Sequence, residues 1–325
     1  MADVARRVGV SHQTVSRVLN DSSLVRDDTR DLVLRAIDEL GYRRNAAARV
    51  LATNRSGRIG MISAHITLHG PSEILSAVNE AGHLAGYDVS LVGLEEVSRS
   101  TLRGAVDRML DEAVEAIVIA VAHQEASETV EDLDLPIPVV VVQGVNSGDS
   151  MSAGIDQVFG AATATKHLLD LGHTSIGHVT GPLDWIEARQ RRDGWWNALE
   201  SAGVEPGPEL LGDWTAESGY RAACSAAIAD GTTALFIAND TMALGVLRAL
   251  HERGLKVPDD VSIVGFDNLP DSAYYWPALT TVDQDLGRLG REAVDLVTRA
   301  LSGESDPRAD LITPSLIVRS STALR

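Results

Sequence analysis

The chain has 325 residues, and its 28 lysines and arginines against 46 aspartates and glutamates give a formal net charge of −18. This length predicts two or three domains, and a hydrophobic fraction of 44% excludes a mainly disordered chain. The single cysteine, Cys224, excludes an internal disulfide framework and a CxxC metal or redox site, and its helical surroundings predict a buried side chain. Because the sequence shows neither a signal peptide nor an apolar run long enough to span a membrane, we expect a cytoplasmic protein with no membrane partner.

The N-terminus is predicted to form a helix-turn-helix. Apolar residues recur at helical spacing in two short stretches on either side of Gly9: Val4, Ala5 and Val8, then Val15, Val18 and Leu19. Gly9 permits a tight turn, Ser11 is a suitable N-cap, and a third helix is predicted from Asp27 to Leu40. Three short helices, the second of which opens with exposed polar side chains, are typical of proteins that read the DNA major groove.

Charge separates this N-terminal segment from the rest of the chain. Residues 1–58 contain eleven arginines, no lysine and seven acidic residues, whereas the remainder contains 17 basic and 39 acidic residues. The two segments therefore carry net charges of +4 and −22, which sum to −18. A basic head on an acidic body confines the attraction of phosphate to one end. This asymmetry favours DNA binding over the alternative that the three helices merely cap a larger protein.

Alternating apolar runs and amphipathic stretches follow from Arg58 onward, which is typical of parallel sheets covered by helices on both faces. The predicted strands are Ile59 to Ser63, Val89 to Gly93, Ala116 to Val121, Val139 to Val142, Ser175 to Val179, Ala234 to Ile237 and Val261 to Gly265. The predicted helices are Ser72 to Ala85, Leu102 to Ala113, Gly160 to Leu171, Ile186 to Ala202, Ser218 to Ala229, Thr241 to Arg253 and Gly287 to Leu301.

These alternations exceed one sheet of ordinary size. We therefore predict two similar doubly wound subdomains that divide near Ile155. Two C-terminal strands, Leu279 to Asp283 and Leu316 to Ser320, are expected to let the chain cross back between them. Before the first strand, residues 45–52 predict a helix of about two turns, which is marginal alone and is expected to order only when docked.

Specific motifs resemble the lactose-repressor/galactose-repressor family of bacterial transcription factors over essentially the whole chain. They include Asp3-Val4-Ala5, Thr14-Val15-Ser16-Arg17-Val18-Leu19-Asn20, Ala238-Asn239-Asp240-Thr241-Met242-Ala243-Leu244-Gly245 and Val264-Gly265-Phe266-Asp267. Leu68-His69-Gly70-Pro71-Ser72, Gly212-Asp213-Trp214 and Gln284-Asp285 are closest to the lactose-repressor branch. The resemblance implies a helix-turn-helix domain over residues 1–44, a hinge helix and linker over 45–56, and a two-lobed core over 57–325, like periplasmic binding proteins. Its N-subdomain would span about 57–155 plus 284–313, and its C-subdomain about 156–283 plus 314–325.

The resemblance also implies which residues contact double-stranded operator DNA. His12, Gln13 and Arg17 would face base edges, where Gln can pair with adenine and Arg with guanine. Leu51 would insert into the minor groove as an apolar wedge, although packing between domains is the alternative for an exposed leucine. The remaining expected DNA contacts are Ser11, Thr14, Asn20 and Asn45.

A small-molecule site between the two lobes is the second implication, because open α/β sheets bind ligands at the carboxyl ends of their strands. The expected ligand residues are Pro71, Ser72, Gln143, Trp185, Arg191, Trp214, Asn239, Asp267 and Gln284. Directed polar groups with an aromatic face suit a sugar. Departures from the lactose-repressor pattern at Ala120, Gln143, Leu286, Trp185 and Glu187 change which hydroxyls can be satisfied. We therefore expect a galactoside or related glycoside, with a non-sugar effector such as a purine as the alternative.

A homodimer is expected, because the chain ends at Arg325 without the leucine-heptad tail of the lactose-repressor branch. The chain also starts several residues shorter than usual for the family. The resemblance places His69 and Asp271 across that dimer interface, where they could bias one of two arrangements. No cofactor or metal is expected, since the spaced histidines His65 and His69 lack a third ligand.

Two other classes of protein compete with a transcriptional regulator. A transport-type sugar-binding protein shares the two-lobed architecture, but it needs export and has no use for a basic helix-turn-helix. An enzyme is disfavoured because no nucleophile elbow, phosphate-binding loop, dinucleotide fingerprint or zinc-protease motif occurs in the sequence. The sequence therefore predicts a sequence-specific repressor of a sugar-utilisation operon and not an enzyme.

Overall fold

The structure is a computed structural model that describes residues 1–19, 24–42, 55–131, 135–143, 151–225, 231–305 and 307–325. The chain forms two compact units, Met1–Ser56 and Gly57–Arg325.

The described part of the N-terminal unit contains three helices: α1 (Ala2–Val8), α2 (His12–Leu19) and α3 (Asp27–Glu39). Gly9 ends α1 in a left-handed conformation with φ of 71°, which a residue without a side chain adopts at no steric cost. The core contains one small apolar cluster, to which each helix contributes: Val4, Ala5, Val15, Val18, Val33 and Ala36. The burial of Val15 and Val18 fixes which side of α2 faces inward, so the polar residues of that helix face solvent.

The first lobe of the larger unit contains a five-stranded parallel sheet with the order β2-β1-β3-β4-β5. Its elements are β1 (Arg58–Ala64), α4 (His69–Leu84), β2 (Asp88–Leu94), α5 (Arg99–Asp111), β3 (Ala116–Ala120), α6 (Gln124–Glu131), β4 (Val139–Val142) and β5 (Met151–Ala153). The central strand β3 is buried along its whole length, as expected for a strand covered on both faces.

The second lobe repeats this plan with a four-stranded parallel sheet of order β7-β6-β8-β9. Its elements are α7 (Gln157–Asp170), β6 (Ile176–Thr180), α8 (Ile186–Ala202), β7 (Glu209–Leu211), α9 (Ala216–Cys224), β8 (Ala234–Ile237), α10 (Asp240–Glu252) and β9 (Ser262–Val264). A 3₁₀ turn, Pro270–Tyr274, follows β9.

The chain crosses between the lobes before α7, again after β10 and a third time before β11. Strands β10 (Thr281–Asp283) and β11 (Ser315–Ile317) pair antiparallel, and their Val282 and Leu316 pack with the second-lobe core. Between them, α11 (Leu286–Leu301) packs against α4 in the core of the first lobe.

This architecture confirms the predicted two-lobed parallel core and corrects several details. The edge strands β5 and β7 and the helix α6 are absent from the sequence prediction, and α4 begins at His69, three residues before the predicted start. Cys224 is exposed, contrary to its predicted burial, because it lies in the last turn of α9 on the side away from the buried Ala222 and Ala223. Within the described ranges, no helix is both long and apolar enough to cross a membrane.

Close contact between α9 and α10 generates a stability prediction. A Cβ at Gly245 would clash with the carbonyl oxygen of Ala216, whereas a Cβ at the exposed Gly104 of α5 would meet nothing within 4 Å. We expect Gly245→Ala to lower the free energy of unfolding by about 2 to 3 kcal/mol, because backbone must move. Gly104→Ala should raise it by about 1 kcal/mol, because alanine favours a helix interior. Urea unfolding of both variants checks the prediction, and equal effects would contradict it.

Candidate functional site

The exposed face of α2 carries the polar residues that the sequence analysis singled out. His12, Gln13 and Arg17 are exposed, and the first turn of the helix contains no acidic residue. The Ser11 hydroxyl accepts a hydrogen bond from the backbone N–H of Thr14 at 3.1 Å and so begins the helix. Three other predicted DNA contacts, Asn20, Asn45 and Leu51, lie outside the described residues.

A cavity of about 270 Å³ lies between the two lobes, at the carboxyl ends of their strands. Eight of the nine predicted ligand residues line it: Pro71, Gln143, Trp185, Arg191, Trp214, Asn239, Asp267 and Gln284. The ninth, Ser72, does not line it and is exposed on α4. Because that helix begins at His69, Ser72 is rotated by about 100° from the cavity-lining Pro71.

A closed ring of hydrogen bonds forms the floor of the cavity. Arg191 donates from its terminal nitrogen to Asp267 Oδ1 at 3.3 Å and from Nε to Gln157 Oε1 at 2.9 Å. Gln284 Nε2 donates to Asp267 Oδ1 at 2.6 Å, and Gln157 Nε2 donates to Gln284 Oε1 at 2.7 Å. The Ala238 carbonyl also accepts from Arg191. Gln157 follows the first crossing and Gln284 lies on the second, so the ring ties two crossings to the second lobe.

Burial dominates the electrostatics of the Arg191–Asp267 ion pair, whose side chains are only 6% and 9% exposed. Burial lowers the pKa of Arg191 although Asp267 opposes the shift. Burial likewise raises the pKa of Asp267, opposed by the nearby charges of Arg191 and His69. Both shifts favour the neutral forms, so removal from water outweighs the attraction between the charges. The Phe266 ring stacks under the guanidinium, with its centroid 4.0 Å from Cζ.

Aromatic rings form a second part of the cavity lining. Trp185 and Trp214 meet edge to face with centroids 5.9 Å apart and planes at 73°, and His65 packs on Trp185 at 5.4 Å. The backbones of Trp214 and Gln143 have φ of 72° and 61°. Left-handed backbone at residues with side chains costs about 1–3 kcal/mol and is concentrated at functional sites. Local strain therefore coincides with this cavity.

Three residues that line the cavity each carry one buried polar atom with no hydrogen-bond partner among the described residues: Glu187 Oε2, Trp214 Nε1 and His123 Nδ1. Burial raises the pKa of Glu187 to about 7. An unsatisfied buried polar group costs about 1–3 kcal/mol, so native proteins keep few of them. Atoms of the same kind also occur on Ser63, His178, Trp195 and Glu292, which do not line the cavity. Sequence analysis did not assign His123 or Glu187 to the ligand set.

Contacts of His123 and its neighbour Ala122 at one edge of the cavity connect the two lobes. His123, which follows β3, places Nε2 3.3 Å from Asp184 Oδ2 of the second lobe. One residue away, the Ile186 N–H donates to the Ala122 carbonyl at 2.9 Å. His123 therefore contacts the second lobe through Nε2, while its Nδ1 is buried and has no hydrogen-bond partner among the described residues.

Asn239 and His69 have surroundings that the sequence did not predict. The side chain of Asn239 accepts from the Met242 N–H at 2.8 Å, so it caps α10, and donates to the Trp214 carbonyl at 3.1 Å. Asn239 thus positions the tryptophan. His69 lines the cavity near Asp267, whereas Asp271 is exposed in the 3₁₀ turn. A contact between His69 and Asp271 of two chains stays a prediction.

Gln157 lies outside the cavity but holds two ring members, and it is only 1% exposed. We expect Gln157→Leu to lower the free energy of unfolding by about 1–3 kcal/mol, because Arg191 Nε and Gln284 Oε1 lose buried partners. Gln124→Leu is the matched control, since its exposed amide contacts only Glu128 among the described residues. Chemical unfolding checks both variants, and a Gln157→Leu protein as stable as the control would show that the ring contributes nothing.

Comparisons with known proteins agree with both halves of this structure. The family model "Bacterial regulatory proteins, lacI family" matches residues 1–45, and "Periplasmic binding protein-like domain" matches residues 165–322. The lactose operon repressor of Escherichia coli strain K12 is 35% identical over 98% of this chain and 89% of that protein. The transcriptional repressor PurR of Pasteurella multocida is 35% identical over 99% of this chain and 98% of that protein.

The most similar solved structures include a lac repressor dimer bound to operator and the anti-inducer ONPF. It superposes with a TM-score of 0.91 at 34% identity, covering 99% of this chain and 98% of that one. The similarity extends through the N-terminal helices α1 to α3 and the two-lobed core. The chain belongs to the lacI family of bacterial regulatory proteins and is a DNA-binding transcriptional regulator, not an enzyme.

Proposed function

We propose that this regulator represses a sugar-utilisation operon and leaves its operator when a galactoside or related glycoside binds between the lobes. The observation that carries the effector part is the set of unpartnered polar atoms, Glu187 Oε2, Trp214 Nε1 and His123 Nδ1. The carboxyl oxygen accepts hydrogen bonds and the indole N–H donates them. Sugar hydroxyls do both, so one polyhydroxylated ring can satisfy atoms of opposite type in several directions.

The arrangement of the aromatic side chains favours a glycoside over a purine. A flat base is held best between parallel ring faces, but the planes of Trp185 and Trp214 meet at 73°. One tryptophan can cover the apolar face of a sugar while the other borders it. A purine stays the alternative because PurR proteins are as similar to this chain as the lactose repressor is.

The DNA part of the proposal rests on α2 and on charge. His12, Gln13 and Arg17 form an exposed polar face, and we propose that Gln13 and Arg17 read bases while the basic head meets phosphates. Ser11, Thr14, Asn20, Asn45 and Leu51 complete the proposed DNA contacts. A homodimer on a pseudo-palindromic operator in the cytoplasm, with His69 and Asp271 across the interface, and the lobe boundaries given by the resemblance also belong to this proposal.

Arg17→Ala tests base readout. The variant should bind a site selected from random double-stranded DNA about 1–3 kcal/mol more weakly, with the loss at one base pair of each half-site. Arg35→Ala removes the same charge from α3, where Arg35 Nε contacts the Asp31 carbonyl, and should weaken all sequences slightly and equally. Fluorescence anisotropy against single-base variants of the site measures both effects. A uniform loss on every sequence for Arg17→Ala would contradict base readout.

A ligand screen tests the effector. Methyl β-D-galactopyranoside, lactose or cellobiose should raise the melting temperature, because ligand at about 100 times its dissociation constant adds about 2.7 kcal/mol of stability. The same sugar should release the protein from its selected DNA site, and Arg191→Ala should remove both responses. Adenine and hypoxanthine serve as the purine arm. A shift with a purine and with no sugar would overturn the glycoside assignment.

A further inference from the structure

Glu187 lines the cavity, and no cation of the described residues forms an ion pair with it. It lies in the first turn of α8, and its buried Oε2 has no hydrogen-bond partner among the described residues. Arg191 on the same helix is close enough to influence it, but the guanidinium already donates to Asp267, Gln157 and the Ala238 carbonyl. The Arg191–Asp267 pair is neutral as a whole. When ionised, Glu187 therefore adds one negative charge that this pair does not balance.

The other groups around the cavity leave this charge in place. Asp267 lies across the cavity floor and opposes ionisation of Glu187. The carboxyl of Asp240 is buried behind it and accepts hydrogen bonds from Thr281 and Leu269. Of the histidines, His69 favours ionised Asp267, and His123 contacts Asp184 at the rim. None of these side chains donates to Glu187 Oε2.

We propose that Glu187 accepts a hydrogen bond from a hydroxyl of the effector and that its unbalanced charge restricts the effector to uncharged glycosides, with sugar phosphates rejected. This inference rests on the proposed glycoside function. A hydrogen bond to a carboxylate is roughly twice as strong as one between neutral groups. A phosphate near the same buried oxygen would instead meet like charge where water cannot screen it.

The proposal has a proton signature. Since the pKa of Glu187 is about 7, part of the free protein carries a proton on this carboxyl at pH 7. A hydroxyl that donates to the carboxylate favours the ionised form, so binding should release protons to the buffer at pH 7. At pH 8 the group is already mostly ionised, and the release should fall. The free energy of unfolding should also depend on pH, because the folded protein holds the Glu187 proton up to a higher pH than the unfolded chain does. Relative to Glu187→Gln, the wild type should lose stability as pH rises from about 4.5 to 7.

Isothermal titration calorimetry of the full chain provides the test, with methyl β-D-galactopyranoside and galactose 6-phosphate as probes. At pH 8 the wild type should bind the neutral sugar and reject the phosphate. Glu187→Gln should weaken binding of the neutral sugar about 10- to 100-fold, the equivalent of one hydrogen bond to a charged group. The same variant should reduce the difference in affinity between the neutral sugar and the sugar phosphate. Titrations at pH 7 in buffers of different ionisation enthalpy should show proton release from the wild type and none from Glu187→Gln.

Two further variants keep the outcome interpretable. Glu217→Gln is the control, because Glu217 is exposed on α9 and pairs with Arg221 at 3.0 Å, and it should bind like the wild type. Glu187→Asp keeps the charge but shortens the side chain, so it should still reject the phosphate. Equal affinity and equal proton release in wild type and Glu187→Gln would overturn the inference while sugar binding itself survives. Tighter wild-type binding of galactose 6-phosphate would also overturn it. If every sugar fails and adenine binds, the proposed function fails first.

Discussion

Arg191 is a buried cation at the junction of the two lobes, and the groups that meet its charge come from distant parts of the chain. Gln157 follows the first crossing, Asp267 follows β9, and Gln284 lies on the second crossing, so the ring can close only when these segments are correctly placed. The pKa shifts of Arg191 and Asp267 both favour the neutral forms. This ion pair therefore fixes the relative positions of these segments rather than adding net stability.

The ring also determines which residues can meet a ligand with unused hydrogen-bonding capacity. Arg191 and Gln284 donate hydrogen bonds to other protein side chains, and Asn239 caps α10 and holds Trp214. Among the described residues, Glu187, Trp214 and His123 each have one polar atom without a hydrogen-bond partner. Since His123 comes from the first lobe and the other two from the second, a ligand that satisfies all three favours the lobe arrangement in which they converge. Only such differential contacts allow a ligand to shift a conformational equilibrium.

Sequence patterns predicted the elements whose buried side chains recur at regular spacing along the chain. The helix Ile186–Ala202 was predicted with the observed bounds, because its apolar face repeats at helical spacing. Strands β5 and β7 were missed because they are three-residue edge strands, in which few side chains are buried. In the site, resemblance identified the residues that family motifs contain, but Gln157 and His123 act through contacts between segments far apart in sequence. Ser72, which the resemblance placed in the ligand set, does not line the cavity, because it lies one helical step beyond Pro71 on the exposed side of α4.

We expect an uncharged glycoside between the lobes to satisfy the three unpartnered atoms while the Arg191 ring stays intact. A crystal structure of the chain with bound methyl β-D-galactopyranoside would decide this. Sugar oxygens should lie within hydrogen-bonding distance of Glu187 Oε2, Trp214 Nε1 and His123 Nδ1, with the bonds among Arg191, Asp267, Gln284 and Gln157 preserved. A sugar bound elsewhere, or one that opens the ring and leaves those three atoms unpaired, would contradict it.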